Sequence, residues 1–260
     1  MVDIIKLRLR NIDRKICCLT NGLQDLKPGR QVVIQDEGCF EHGSILSYPE
    51  KMYSEKGKIT KKVIRLLTEK DKIQIEENSK KAQTAFLTCK AKIEEMKMNM
   101  KLIHSEYSLD RTKLAFYFKS EKRIDFRELV QELSTMFKAK IELRQIGVRD
   151  EATIYGGCGK CGRELCCATF LKDIESVTMR LARDQNLPLN PSKISGICGK
   201  LMCCLEYEHD VYCELLKGLP HQGDIIKTNE GEGKVVQVDI LKRTVNVLLQ
   251  DERQINVVYR

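Results

Sequence analysis

Seven of the chain's twelve cysteines fall between Cys158 and Cys204, and they carry an internal repeat. The unit Cys161-Gly-Arg-Glu-Leu-Cys166-Cys167 recurs as Cys198-Gly-Lys-Leu-Met-Cys203-Cys204, offset by 37 residues throughout. Each copy supplies three thiols, and thiolates are ligands for zinc and for iron–sulfur clusters. Gly162 and Gly199 follow the first cysteine of each copy, where a tight turn and a close backbone approach to a metal or sulfide suit glycine. The residues after each pair read as helical. The cysteines are therefore expected near helix N-termini, where the dipole and Arg163 or Lys200 would lower their pKa values.

The adjacent pairs argue against a simple zinc finger. Neighbouring residues point about 100° apart on a helix and to opposite faces on a strand, so both sulfurs seldom serve one zinc. Three thiols per copy also leave each copy one short of a four-cysteine site. The pattern suits a cluster with several metal corners, two sites on opposite faces, or ligands completed by another polypeptide. Structural zinc, inert buried thiols and a redox pair at Cys158-Gly-Lys-Cys161 stay open beside the cluster reading, although no thioredoxin-like strand and helix frame that C-x-x-C.

Other motifs carry less. Gly159-Lys160 and Gly199-Lys200 lack the rest of a P-loop. His104-Ser105-Glu106 has the H-x-E form of zinc deaminases, but Gly157 rather than proline precedes Cys158. His209 lies near the second unit and is a candidate nitrogen ligand. No paired-carboxylate or nucleophile-elbow pattern is present, so enzymatic chemistry is not indicated. Cys17, Cys18, Cys39, Cys89 and Cys213 read as ordinary buried thiols.

These residues need a scaffold, and 260 residues allow one large domain or two modest ones. With 42% apolar and 32% charged residues, the chain is neither disordered nor lipid-embedded, and no apolar run could span a bilayer. No secretory h-region opens the sequence, so a soluble cytoplasmic protein without structural disulfides is expected. The expected fold class is α+β. A β-rich N-terminal segment (1–58) alternates Ile5, Leu7 and Leu9 with charges and continues through strands at 16–19, QVVIQ and 43–46. An α/β region (59–147) places a polar helix over 69–100, strands KLIHSEY and KLAFYFKS, a helix over 125–137 and the strand IELRQIGV. The cysteine-rich repeat, read as helical, occupies 148–218, and a separate β module occupies 219–260.

The net charge of +8 is local. Residues 51–101 hold 14 basic and seven acidic residues. Such a stretch can contact RNA or an acidic partner, although interspersed signs are commonest on a solvated helix face.

The stretch GVRDEATIYGGCGKCGRELCC followed by DQNLPLNPSKISGICGKLMCCLEYE resembles the RicT (YaaT) family, called stage 0 sporulation protein YaaT in spore-formers, with a polymerase-suppressor-type (PSP1) C-terminal domain. The resemblance is tightest over 145–210. It implies a non-enzymatic adaptor joining YlbF-type and YmcA-type helical proteins in a Ric complex. That complex holds [4Fe-4S] clusters and acts with the endoribonuclease RNase Y in mRNA maturation and turnover, with links to the sporulation phosphorelay, biofilm formation and competence. It also implies that Cys161, Cys166, Cys167, Cys198, Cys203 and Cys204 bind the cluster. Cys158 and Lys160 stand where family members commonly have other residues, and Cys158 is kept as an extra candidate ligand. The alternative is a zinc-stabilised nucleic-acid-binding module.

Overall fold

The computed structural model describes residues 2–9, 14–52, 59–122 and 124–259. Lys56 and Lys58 of the basic stretch lie outside them. The chain divides into two compact units, Met1–Tyr155 and Gly156–Arg260.

The first unit opens with β1 (Val2–Leu9), β2 (Arg14–Leu19), β3 (Gln31–Asp36), β4 (Cys39–Ile45), β5 (Glu50–Met52) and β6 (Lys62–Leu66). β1 pairs with both β2 and β4, β2 with β6, β6 with β3 and β3 with β4, so five strands close into a small barrel, with β5 added along β1. Closure removes the sheet edges and leaves a filled interior. Ile5, Leu7, Leu9, Cys18, Val32, Ile34, Ile45 and Val63 fill it. β4 starts four residues earlier than expected. Its inward positions include Glu41, buried against Lys113 at 3.5 Å, and a charge there breaks the apolar alternation that marks a strand.

The α/β half follows as α1 (Glu69–Glu95), β7 (Lys101–Tyr107), β8 (Lys113–Lys119), α2 (Arg127–Phe137), β9 (Lys140–Gln145) and α3 (Val148–Tyr155). β7 and β8 are antiparallel, β8 and β9 parallel, as a β-β-α-β order with one crossover helix requires. α1 begins with a capping box, in which the Asp71 carboxylate accepts the Thr68 N–H at 2.8 Å and the Thr68 hydroxyl accepts the Asp71 N–H. Arg65 clamps the same carboxylate, whose pKa lies well below the ordinary range through that pairing and the Thr68 bonds. Ala82, Ala85, Cys89 and Ile93 form the buried stripe of α1, and the last three meet Leu114, Phe116, Leu129 and Leu133 from β8 and α2. The helix stops at Glu95 rather than 100, and α3 was not expected from the pattern.

Among the described residues, several basic side chains of the stretch are paired, Arg65 with Asp71, Lys90 with Glu94 and Lys101 with Glu151 among them. Lys61 bonds Asp36, Lys72 bonds Glu69 at 2.7 Å, and Lys92 contacts both Glu95 and Glu132. Lys80 and Lys81 are exposed on α1.

The second unit runs through α4 (Met179–Asp184), α5 (Pro191–Ile194), α6 (Cys204–Tyr207) and α7 (His209–Leu216) to the meander β10 (Ile225–Thr228), β11 (Gly231–Asp239), β12 (Thr244–Leu249) and β13 (Gln254–Val258). Val235, Val245 and Val247 line one face of this separate sheet and pack with Leu219. The expected turn over Asn229–Gly233 is shorter, because β11 already begins at Gly231. Among the described residues, no helix is long and apolar enough to cross a membrane.

Candidate metal centre

The two cysteine units fold as matching hairpins. In the first, the Gly159 N–H donates to the Arg163 carbonyl at 2.8 Å, Gly162 to Gly159 at 3.0 Å and Leu165 to Gly157 at 3.0 Å. In the second, Gly196 donates to Lys200 at 2.9 Å, Gly199 to Gly196 at 3.0 Å and Met202 to Ile194 at 2.9 Å. Isolated bridges Cys158–Glu164 and Ser195–Leu201 close the arms at equivalent places. The structural repeat is thus longer than the sequence repeat and covers 157–168 and 194–205. Gly162 and Gly199 take φ of +79° and +76°, which explains the glycine after each first cysteine.

The copies also touch. The rings of Phe170 and Tyr207, equivalent residues, meet edge to face with centroids 5.1 Å apart. Lys160 Nζ of the first hairpin donates to the Ser192 carbonyl at 2.5 Å. The segment between the hairpins braces the second one. Gln185 Nε2 donates to the Leu205 carbonyl at 2.5 Å, Asn190 caps α5 through the Ser192 N–H, and Ala182, Ile194 and Leu205 form a small core. Polar side chains of DQNLPLNPSKISG are thus spent on backbone partners, Asn186 Nδ2 donating to the Val238 carbonyl as well.

All twelve cysteines are free thiols. Cys158 and Cys161 are exposed, Cys166, Cys198, Cys203 and Cys204 are half-buried, and Cys167 is buried. The adjacent thiols of the first pair thus diverge, as their backbone requires. Burial pushes the Cys204 thiol up to about 11, and the nearby charges of Glu208, of Cys166 from the first copy and of Cys203 add to that push.

Two expectations need correction. Helix follows only the second copy, whereas turns run from Cys166 to Phe170 in the first, and Cys204 is shifted up rather than down. Desolvation outweighs the dipole of a four-residue helix. Cys17 and Cys213 are exposed, not buried, because they sit on the outward side of β2 and of α7. Cys18, Cys39 and Cys89 are buried as expected. His209 Nε2 lies 3.4 Å from Cys213 Sγ, one turn along α7, and the contact could be found in advance only from the i, i+4 spacing. His104 stacks on Tyr117 within the sheet at 6.1 Å.

Among the described residues, no three His, Cys, Asp or Glu side chains are gathered closely enough to hold a metal ion. The donors fit a thiophilic group in kind: six free thiols on two glycine-tipped hairpins that meet. They fit in number only if the coordination sphere is completed from outside or by rearrangement.

Comparison with known proteins agrees with this layout. The family model PSP1 C-terminal conserved region matches residues 61–146, from β6 through β9, and the PSP1-like protein third-domain model matches 176–219, which contains the second hairpin. The stage 0 sporulation protein YaaT of Bacillus subtilis is 44% identical over 245 residues, 94% of this chain and 84% of that protein. The uncharacterized protein PB7E8.02 of Schizosaccharomyces pombe is 36% identical over 81 residues, 31% of this chain and 11% of its own. Protein PSP1 of Saccharomyces cerevisiae is 36% identical over 67 residues, 26% and 8% respectively. No solved structure matches the chain. Likeness to the two yeast proteins covers a part of the chain, while likeness to YaaT runs through barrel, α/β layer, hairpins and terminal sheet alike, and so the chain belongs to the YaaT family of PSP1-type proteins.

Proposed function

We propose that the chain is a non-enzymatic adaptor subunit of a Ric-type complex. In that complex it helps to hold [4Fe-4S] clusters together with YlbF-type and YmcA-type helical proteins, and modulates RNase Y-dependent mRNA processing. Effects on the sporulation phosphorelay, biofilm formation and competence follow downstream, in keeping with the sporulation name of its Bacillus relative. The observation that carries this reading is the pair of matching hairpins, which present free thiols without gathering a complete ligand set. Cys161, Cys166, Cys167, Cys198, Cys203 and Cys204 would hold the group, and partner side chains would complete it. Such a cluster supplies an oxygen- and iron-sensitive cross-link between polypeptides. The chain's own residues fix the turn at Gly162 and Gly199 and hold the hairpins together through Phe170, Tyr207 and Lys160.

The test is iron, sulfide and zinc content with an absorption spectrum on protein purified without oxygen, alone and co-expressed with the two partners. Iron and sulfide should rise with the partners and fall in Cys167→Ser and Cys198→Ser. Unchanged iron in both variants would overturn the ligand assignment. Stoichiometric zinc that ignores the partners would favour a zinc-stabilised nucleic-acid-binding module, with RNA affinity that falls as salt rises. RNA or acidic-partner contact through 51–101 is checked by charge reversal at Lys80, Lys81 and Lys90. Unaltered binding of both would remove that surface from the proposal.

A further inference from the structure

The sheet order β7-β8-β9 leaves β7 on an edge. Backbone pairing fixes which of its groups face outward. The Ser108 N–H donates to the Lys113 carbonyl at 2.8 Å, so that pair is hydrogen-bonded across the hairpin. Such pairs alternate in an antiparallel ladder. Glu106–Ala115 and His104–Tyr117 are therefore hydrogen-bonded too, and the N–H and C=O of Ser105 and Tyr107 turn away from β8. Leu109 is the next member of that outward series, and its N–H donates to the Phe40 carbonyl of β4 at 2.8 Å. Among the described residues, nothing pairs the outward groups of Ser105 and Tyr107. Ser105 is only 4% exposed, and its hydroxyl is already spent on the Ala82 carbonyl. Buried peptide groups without a partner are rare, so this edge lacks a strand.

The unpaired edge opens on a cleft of about 790 Å³, within the usual range of built binding sites. Residues 103–107 of β7 all line it, although consecutive side chains point to opposite faces. A cavity meets both faces of a strand only along its edge. The facing wall is α1, which presents Ala82, Phe86 and Leu87 with Glu76 at helical spacing. An edge strand beside an apolar helix wall is the geometry of strand addition, in which main-chain bonds give affinity and alternate side chains give specificity. Charge narrows the guest further. Lys72 at the cleft is engaged by Glu69 at 2.7 Å, and His42 and Glu106 are already partnered. Glu76 is exposed and has no ion pair among the described residues, so the cleft offers a carboxylate to a cation.

We propose that this cleft binds an extended segment of a partner polypeptide as an added strand along β7. The guest's backbone exchanges hydrogen bonds with Ser105 and Tyr107. Alternate apolar side chains lie against Ala82, Phe86 and Leu87, and a Lys or Arg of the guest pairs with Glu76. The site belongs to the first unit and stands whatever group the cysteine hairpins hold.

The probe is a library of random dodecapeptides displayed on phage and selected on the full chain. Enriched sequences should alternate apolar residues and carry a Lys or Arg. With a synthetic binder present, amide exchange should slow about tenfold or more at Ser105 and Tyr107, while Glu106, already bonded to β8, stays unchanged. N-methylation of the peptide should weaken binding at alternate positions only. Tyr107→Pro removes an outward N–H and leaves the β8 ladder intact, a change that an edge strand accepts. It should weaken binding about tenfold. Glu76→Lys, on the exposed surface of α1, should weaken binding about fivefold, and it keeps the test decisive if Tyr107→Pro does not fold. Failure to enrich any binder would overturn the proposal. So would binders that are helical by circular dichroism, binders that leave exchange at Ser105 and Tyr107 unchanged, or binding that Glu76→Lys does not weaken.

Discussion

Cys89 and Cys204 are both helical cysteines whose thiols burial holds well above the ordinary range, at about 12 and about 11. In the first unit that burial is the whole cause: Cys89 is fully enclosed by the apolar stripe of α1 and its neighbours. In the second unit Cys204 is only half-buried, and the charges around it are Glu208 and two other cysteines. The same residue type is a core filler in one unit and a member of a thiol group in the other. What separates them is company rather than burial, since desolvation disfavours a thiolate in both places. A metal would reverse the preference only where several thiols can share it.

The largest expected effect tests the core side of this contrast. Phe116 is fully buried between the sheet and its helices, and Phe116→Ala should cost about 3–5 kcal/mol in denaturant unfolding. A loss below about 1 kcal/mol would mean that this core is not what holds the first unit.

Next, Cys89→Ser places a hydroxyl in an apolar site and should cost about 1–3 kcal/mol while leaving metal content unchanged. Cys204→Ser should do the reverse, with a smaller stability loss and reduced iron. Equal behaviour of the two variants in both assays would break the comparison.

Gly199→Ala should cost about 1–2 kcal/mol, because an L-residue resists the left-handed conformation found there, although a Cβ would meet nothing within 4 Å. Gly162→Ala should match it if the hairpins are true equivalents, as urea midpoints would reveal.

The smallest effect concerns pH. Burial alone would raise the Glu142 carboxyl, but Arg144 at 2.6 Å and Lys113 outweigh it and hold it at about 2. The sign follows from the lowered value: Glu142 stabilises the fold above the ordinary carboxylate range and loses that contribution as pH falls toward 2. Glu142→Gln should flatten the acid limb of a stability–pH curve. At the alkaline end Cys89 acts oppositely. The unfolded thiol ionises before the folded one, so stability falls as pH rises from about 9 toward 12.

Much of the scaffold is legible in local pattern. The alternation of β1, the stripe of α1, the β7–β8 hairpin and the terminal strands follow from periodicity and turn residues. The reading fails at β4, where buried Glu41 finds its cation on another element, and at β6, a short strand recruited by β3 inside a run that looks merely basic. The helical reading of the first cysteine unit fails because the chain after Cys166 meets Phe170 and Lys172 in a turn, with Lys172 Nζ donating to the Cys167 and Ala168 carbonyls.

By itself the sequence determines which residues can ligate, that they come in two copies, and that glycine must follow the first cysteine of each. Those are properties of residue type and spacing, and they survive any packing. Only the tertiary structure decides that the copies are hairpins longer than their sequence repeat, that they meet across Phe170 and Tyr207, and that Ser195 stands where Cys158 does. The physical reason is that a backbone hydrogen bond names no side chain. The hairpin can therefore extend beyond the residues that made the repeat visible, and contact between two copies depends on partners 37 residues away along the chain.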